Sequence, residues 1–203
     1  MSWFKNLFKK SNNTTNDPVV SIPQKLPLPE IPTAQDISIL FQINPLAMKE
    51  LARNCDIIKF HIAKYLHVES KTGVPWDVVA SCHYREAALD FNTCLHNGDP
   101  LPGPTTHVPK GRGPFNSWEE AAVDSFIDEK HNFPKVWDLD GKLAFCESYN
   151  GLGYKKRGLL SPYVWASTNK YRSGLYVADG KFDANKVDQR LGCAAIIKGL
   201  SIS

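Results

Sequence analysis

From Pro45 onward the chain places apolar residues about one helical turn apart. In NPLAMKELARNCDIIKFHIAKYLHVESK, Leu51, Ile58, Ile62 and Leu66 mark one face, which predicts a long helix. Residues 71–74 contain Gly73 and read as a turn. Pro75 then suits the first turn of a second helix, where its missing N–H is not needed. That helix is predicted over residues 75–89. Pro75, Val79, Cys82, Glu86 and Leu89 follow i, i+3, i+4 spacing along it and share a face. Ser117 with Glu120 three residues on forms a capping box for SWEEAAVDSFIDEK. Further helices are expected across residues 136–149 and 184–200, the last with Val187, Leu191, Ala194 and Ile197 turned inward. No segment alternates strongly enough to predict a strand, so the expected class is mainly α.

Between these helices lie two irregular segments. Residues 91–116 are rich in Gly and Pro and hold His96, Asn97, Asp99 and a basic KGRG turn. A loop of that length inside a compact domain usually carries function. Residues 150–180 are rich in Gly, Tyr and Trp and read as loops with short regular pieces. Upstream, residues 11–40 are polar and then proline-spaced, as a linker would be. Residues 1–10, MSWFKNLFKK, set Trp3, Phe4, Leu7 and Phe8 opposite Lys5, Lys9 and Lys10. That pattern suits peripheral contact with an anionic membrane, although a frayed terminus is the plainer reading. The folded domain is expected over residues 41–203.

Composition narrows the classes. The chain has 203 residues, 42% of them hydrophobic, enough for one sizeable core. A net charge of +3 falls short of a nucleic-acid binder, which argues against that partner. The five cysteines are widely spaced and include no C-x-x-C pair, which argues for reduced, buried thiols. No run approaches the roughly 20 apolar residues of a membrane span, and no signal-peptide pattern opens the chain.

Glu86, on the apolar face of the second helix, is the residue that asks for chemistry, because burying an unpaired charge is costly. Three readings stand side by side. A structural glutamate would find Lys, Arg or backbone partners. A metal ligand would use the H-x-x-E pair His83 and Glu86, but helical carboxylate sites need a second such pair, and none occurs. A general acid would exploit burial, which disfavours the charged carboxylate and keeps the proton on near neutral pH. The downstream set Tyr149, Asn150, Tyr154, Tyr163, Trp165 and Tyr171 could line a sugar cleft, although core packing is the plain alternative for each aromatic.

The helix TGVPWDVVASCHYREAALDF resembles the catalytic helix of the lysozyme-like superfamily, which includes lytic transglycosylases, goose-type lysozymes and related phage endolysins. Glu86 stands at the position of that family's catalytic glutamate, and Pro75, Val78, Val79 and Ala80 match the run before it. Ala87 replaces the serine common in the transglycosylases. ESYNGLGY is similar to the family's Tyr-Asn-x-Gly segment, and HYRE, LHNGDPL, YNGLGY and SPYVW together resemble phage-borne lysozyme-like proteins. The resemblance spans roughly residues 45–200.

It implies a lysozyme-like helical domain whose long loops form a glycan cleft. It also implies cleavage of the β-1,4 bond between N-acetylmuramic acid and N-acetylglucosamine, without a cofactor or metal. Glu86 would be the general acid, with Tyr84, His96, Asn97, Tyr149, Asn150, Tyr154, Tyr163 and Trp165 as substrate contacts. An inverting hydrolase would need a second carboxylate across the cleft, for which Asp90, Asp99 and Glu147 are the candidates. A transglycosylase needs only one, since the sugar's own 6-hydroxyl attacks. The expected partner is the peptidoglycan strand, bound by a monomer made in the cytoplasm and delivered to the wall by holin-type release or another non-secretory route. A catalytically inactive module that tethers to the wall glycan is the runner-up.

Overall fold

The computed structural model describes residues 41–127, 133–178 and 180–202. The amphipathic segment at 1–10 and the linker at 11–40 lie outside the described residues. A 3₁₀ turn, Pro45–Ala47, leads into α1 (Met48–Phe60), α2 (Ile62–Thr72) and α3 (Trp76–Ala87). After the long loop come α4 (Trp118–Phe126), α5 (Leu139–Asn150), a 3₁₀ turn at Lys155–Arg157 and the short α6 (Pro162–Trp165). An antiparallel hairpin, β1 (Leu175–Ala178) and β2 (Lys181–Asp183), precedes α7 (Cys193–Ile202). The mainly helical class stands, with a two-stranded sheet as an addition.

Local chemistry explains several ends. Ser117 Oγ accepts from the Glu120 amide at 3.2 Å, while the Glu120 carboxylate reaches back to the Asn116 amide at 2.8 Å. Asp138 Oδ1 caps α5 by accepting from the Gly141 amide at 2.8 Å. Gly73 closes α2 at φ 72°, a left-handed conformation that glycine adopts without a Cβ penalty.

Two expected helices are corrected. The single long helix is two, divided at His61 (φ −102°, ψ 17°), whose amide donates back to Ile57 and Ile58. The break lets Leu51, Cys55 and Ile58 of α1 pack on α7, while Tyr65 and Val68 of α2 turn to α3 and α4. Leu66, expected inward, is exposed instead. The last helix begins at Cys193, nine residues later than expected, and Val187 faces solvent. Residues 184–192 instead carry the ion pairs of Asp188 with Arg85 and Arg190, so they are not available to the helix.

Helix α3 is the hub, packed against α2, α7 and α5. Every residue from Asp77 to Arg85 is buried. The expected apolar stripe is therefore an incomplete description, because the helix is enclosed on all sides. His83 and Arg85 lie in the interior. All five cysteines are buried free thiols, and Cys82, Cys146 and Cys193 bring α3, α5 and α7 together.

Candidate active site

Glu86 is the penultimate residue of α3 and the first after the enclosed run, where the helix becomes half-buried. Ala88 (φ 50°) and Leu89 (φ 65°) then take left-handed backbone, an arrangement that costs about 1 kcal/mol each for residues with a Cβ. The chain turns away immediately beyond Glu86.

An ion-pair clamp fixes this end of α3. Arg85 Nη2 donates to Asp188 at 2.7 Å, with both side chains almost wholly buried. Arg85 Nη1 donates to the Leu191 carbonyl at 3.2 Å, and Arg190 Nη1 donates to the Arg85 carbonyl at 3.4 Å. Burial alone would raise the Asp188 pKa. Hydrogen bonds from Arg190 and the charge of Arg85 overcome that and hold it at about 2.

Groups distant in sequence lie in the field of Glu86. The Tyr149 hydroxyl, from α5, meets Ser125 Oγ of α4 at 2.7 Å. Burial first, and the Glu86 charge second, push the Tyr149 phenol well above its ordinary range. The Tyr163 phenol is pushed up by burial, then by Cys82 and Glu86. The Arg85 guanidinium lies over the Tyr163 ring, 5.0 Å from its centroid. Arg190 is raised chiefly by its bond to Asp188, with Glu86 contributing.

The other candidate carboxylates serve different ends. Asp90 is exposed and accepts from the Asn92 amide and side chain at 2.9 and 2.8 Å, forming a local turn. Asp99 accepts from the amides and side chains of Thr106 and His107 at 2.6 to 3.0 Å. Those bonds hold its carboxyl far below the usual range and make it the keystone of the 92–116 loop. Glu147 is different again. Its Oε1 is buried and accepts no hydrogen bond among the described residues, and burial pushes the carboxyl up to about 7 against the opposing charge of Lys155.

Most of the expected substrate contacts are structural. Tyr84 is buried, donating to Glu50 at 2.8 Å and accepting from the Leu191 amide at 3.3 Å. His96 is buried, stacks on Phe115 and bonds Asp124 at 2.8 Å. Asn97 bonds the Asp99 amide and the His107 carbonyl within the loop. Tyr154 is buried and accepts from the Tyr176 amide at 3.1 Å. Trp165 is buried, edge-on to Phe41 at 5.6 Å. Tyr149 and Asn150 remain half-buried, with Asn150 Nδ2 donating to Ser161 at 3.4 Å.

His83 has both ring nitrogens engaged, Nδ1 with the Tyr65 hydroxyl at 3.0 Å and Nε2 with the Asp90 carbonyl at 3.1 Å. Burial lowers its pKa to about 4. That occupation leaves it unsuited to a metal, and no cluster of three or more metal-ligating side chains occurs among the described residues.

Ser125, Asp188 and Arg190 escaped the sequence reading. Nothing in their local pattern distinguishes them; only packing brings them to α3. A groove of about 980 Å³ runs between α2 and α4 past Lys64, His67, Glu119 and Val123, but its lining includes neither Glu86 nor Tyr149. It is an open trough spanned by the Lys64–Glu119 ion pair.

Comparison of the chain with protein-family models, with curated proteins and with solved structures found no match. No described helix is long and apolar enough to cross a membrane.

Proposed function

We propose that the chain is a peptidoglycan-cleaving glycosidase acting on the β-1,4 bond between N-acetylmuramic acid and N-acetylglucosamine, with Glu86 as the general acid. The observation that carries this reading is the position of Glu86 at the half-buried end of an otherwise enclosed helix, with the Tyr149 phenol of α5 within the reach of its charge. Those are the two segments that resemble the lysozyme-like catalytic helix and its Tyr-Asn-x-Gly partner.

Glu86 gives its proton to the glycosidic oxygen as the bond to the sugar C1 breaks and oxocarbenium character develops there. The Tyr149–Ser125 hydroxyl pair supplies oriented dipoles beside the reacting end. Asp90 and Asp99 are committed to loop structure, and burial keeps the Glu147 carboxyl protonated up to about pH 7, which disfavours it as an ionised base. That distribution favours a one-carboxyl mechanism. The muramic 6-hydroxyl attacks C1, its proton passes to the Glu86 carboxylate, and a 1,6-anhydro end results.

The test is turbidity loss of purified peptidoglycan with product analysis. Glu86→Gln should lower the rate by about 10²–10⁴-fold, the usual worth of a positioned general acid, and wild type should release 1,6-anhydro ends. An inactive wild type, or a variant as active as wild type, defeats the assignment. An inactive protein that still co-sediments with wall sacculi would instead be a glycan-tethering module.

A further inference from the structure

The chain's positive charge is concentrated in one region. Residues 151–191 hold eight Lys and Arg against three Asp and Glu, an excess of five, whereas the whole chain's excess is three. Of the three acids, Asp188 is committed to Arg85 and Arg190, and Asp183 caps the Asn185 amide. Lys155, Lys156, Arg172, Lys181 and Lys186 are exposed and make no ion pair among the described residues.

These cations share one structural unit. Arg157 Nε donates to the Tyr176 hydroxyl at 2.8 Å, and its guanidinium lies 4.8 Å from the Phe182 ring centroid. The Tyr154 hydroxyl accepts from the Tyr176 amide at 3.1 Å, so the 152–160 turn is pinned to the hairpin. The Gly174 amide donates to the Lys186 carbonyl at 2.8 Å and ties in the segment beyond β2. Arg157 is thereby the anchor, and Lys155, Lys156, Arg172, Lys181 and Lys186 are left exposed.

Apolar side chains accompany the charge. Leu152 and Leu159 are each 41% exposed, Leu160 is 37% exposed and Val177 51%. Single exposed apolar residues are ordinary. Here three leucines flank three consecutive cations within nine residues, and the turn holds them together through Lys156 N–H to Leu152 C=O and Leu159 N–H to Tyr154 C=O. A soluble polyanion would engage the cations alone. A bilayer engages both, with headgroups on the cations and the headgroup–acyl boundary on the leucines.

We propose that the 152–160 turn and the β1–β2 hairpin form a docking face for an anionic lipid bilayer. This proposal does not depend on the glycosidase reading. Each Lys or Arg near an anionic membrane contributes a factor of about fivefold in affinity, so Lys155→Gln with Lys156→Gln should weaken binding about 25-fold.

The experiment is co-sedimentation of the full chain with vesicles of mixed phosphatidylcholine and phosphatidylglycerol, at low and physiological salt, beside phosphatidylcholine alone. Expected are binding to the mixed vesicles that falls with salt, loss in the double lysine variant, and loss in Leu159→Ser with Leu160→Ser. The leucine variant should bind soluble polyphosphate as wild type does. The proposal is overturned if either double variant sediments with the mixed vesicles like wild type. It is equally overturned if phosphatidylcholine alone suffices, or if only Lys5→Gln, Lys9→Gln and Lys10→Gln together abolish binding. Leucine-independent, lysine-dependent binding would identify a soluble-polyanion site instead. All substituted side chains in the turn are exposed, and far-ultraviolet circular dichroism checks that each variant folds.

Discussion

Neutralising Asp188 should be the most damaging conservative change near the candidate site. In the folded chain its carboxylate accepts from Arg85 Nη2 at 2.7 Å, from Arg190 Nη2 at 2.8 Å, and from the Arg190 amide and Nε at 3.0 Å. The folded pKa of about 2, against an ordinary 3.8, corresponds to about 2 kcal/mol favouring the ionised, folded form. Asp188→Asn loses that and also strands Arg85, whose side chain is only 2% exposed. Removing one partner of a buried pair costs about 3–5 kcal/mol. For a domain of this size that is a fall in Tm of about 6–20 °C. The assay is thermal and urea unfolding of both proteins across the acid range. Because the folded pKa lies below the unfolded one, the stabilisation is present above about pH 4 and is lost as pH falls toward 2. The variant should lack that one-proton slope. Replacing both partners, Arg85→Met with Asp188→Leu, should cost less than Asp188→Asn alone, because no buried charge is left behind. An Asp188→Asn protein within about 0.5 kcal/mol of wild type, or one keeping the full acid slope, refutes the clamp as a source of stability.

Glu147 reverses the sign. Its folded pKa of about 7 lies above the ordinary 4.5, so the folded state holds the extra proton and stability declines as pH rises from about 4.5 to 7. Glu147→Gln should therefore stabilise by about 3 kcal/mol at pH 8, leave pH 4 stability unchanged in urea melts, and retain activity on peptidoglycan if Glu86 alone is the acid. At Gly192, a Cβ would lie 2.4 Å from the Val164 carbonyl oxygen and 2.7 Å from the Ala166 nitrogen. Gly192→Ala should push α7 from α6 and cost about 3 kcal/mol, read as a lower urea midpoint with an unchanged m-value.

The sequence by itself determined the features that depend on neighbours along the chain. Helical periodicity, the Ser117 cap, the Gly73 stop and the Pro75 start follow from backbone chemistry within a few residues. They sufficed to predict a mainly helical chain and to place Glu86 near the end of a helix. Tertiary structure decided what each helix would meet. Periodicity identifies an apolar face but not how many sides are covered, so the enclosure of α3 and the burial of Arg85 were invisible until Asp188 arrived from 103 residues away. The break at His61 arises because α1 and α2 must reach different neighbours, a demand that no local propensity encodes. The strands of the hairpin have only four and three residues, too few to alternate visibly, and Tyr154 holds them by packing and a hydrogen bond from outside the sheet. Tyr84, Tyr154, Tyr163 and Trp165 could have faced a ligand or the core, since aromatic side chains suit both. Packing placed all four inside, whereas Glu86, Tyr149 and Asn150 stay half-buried.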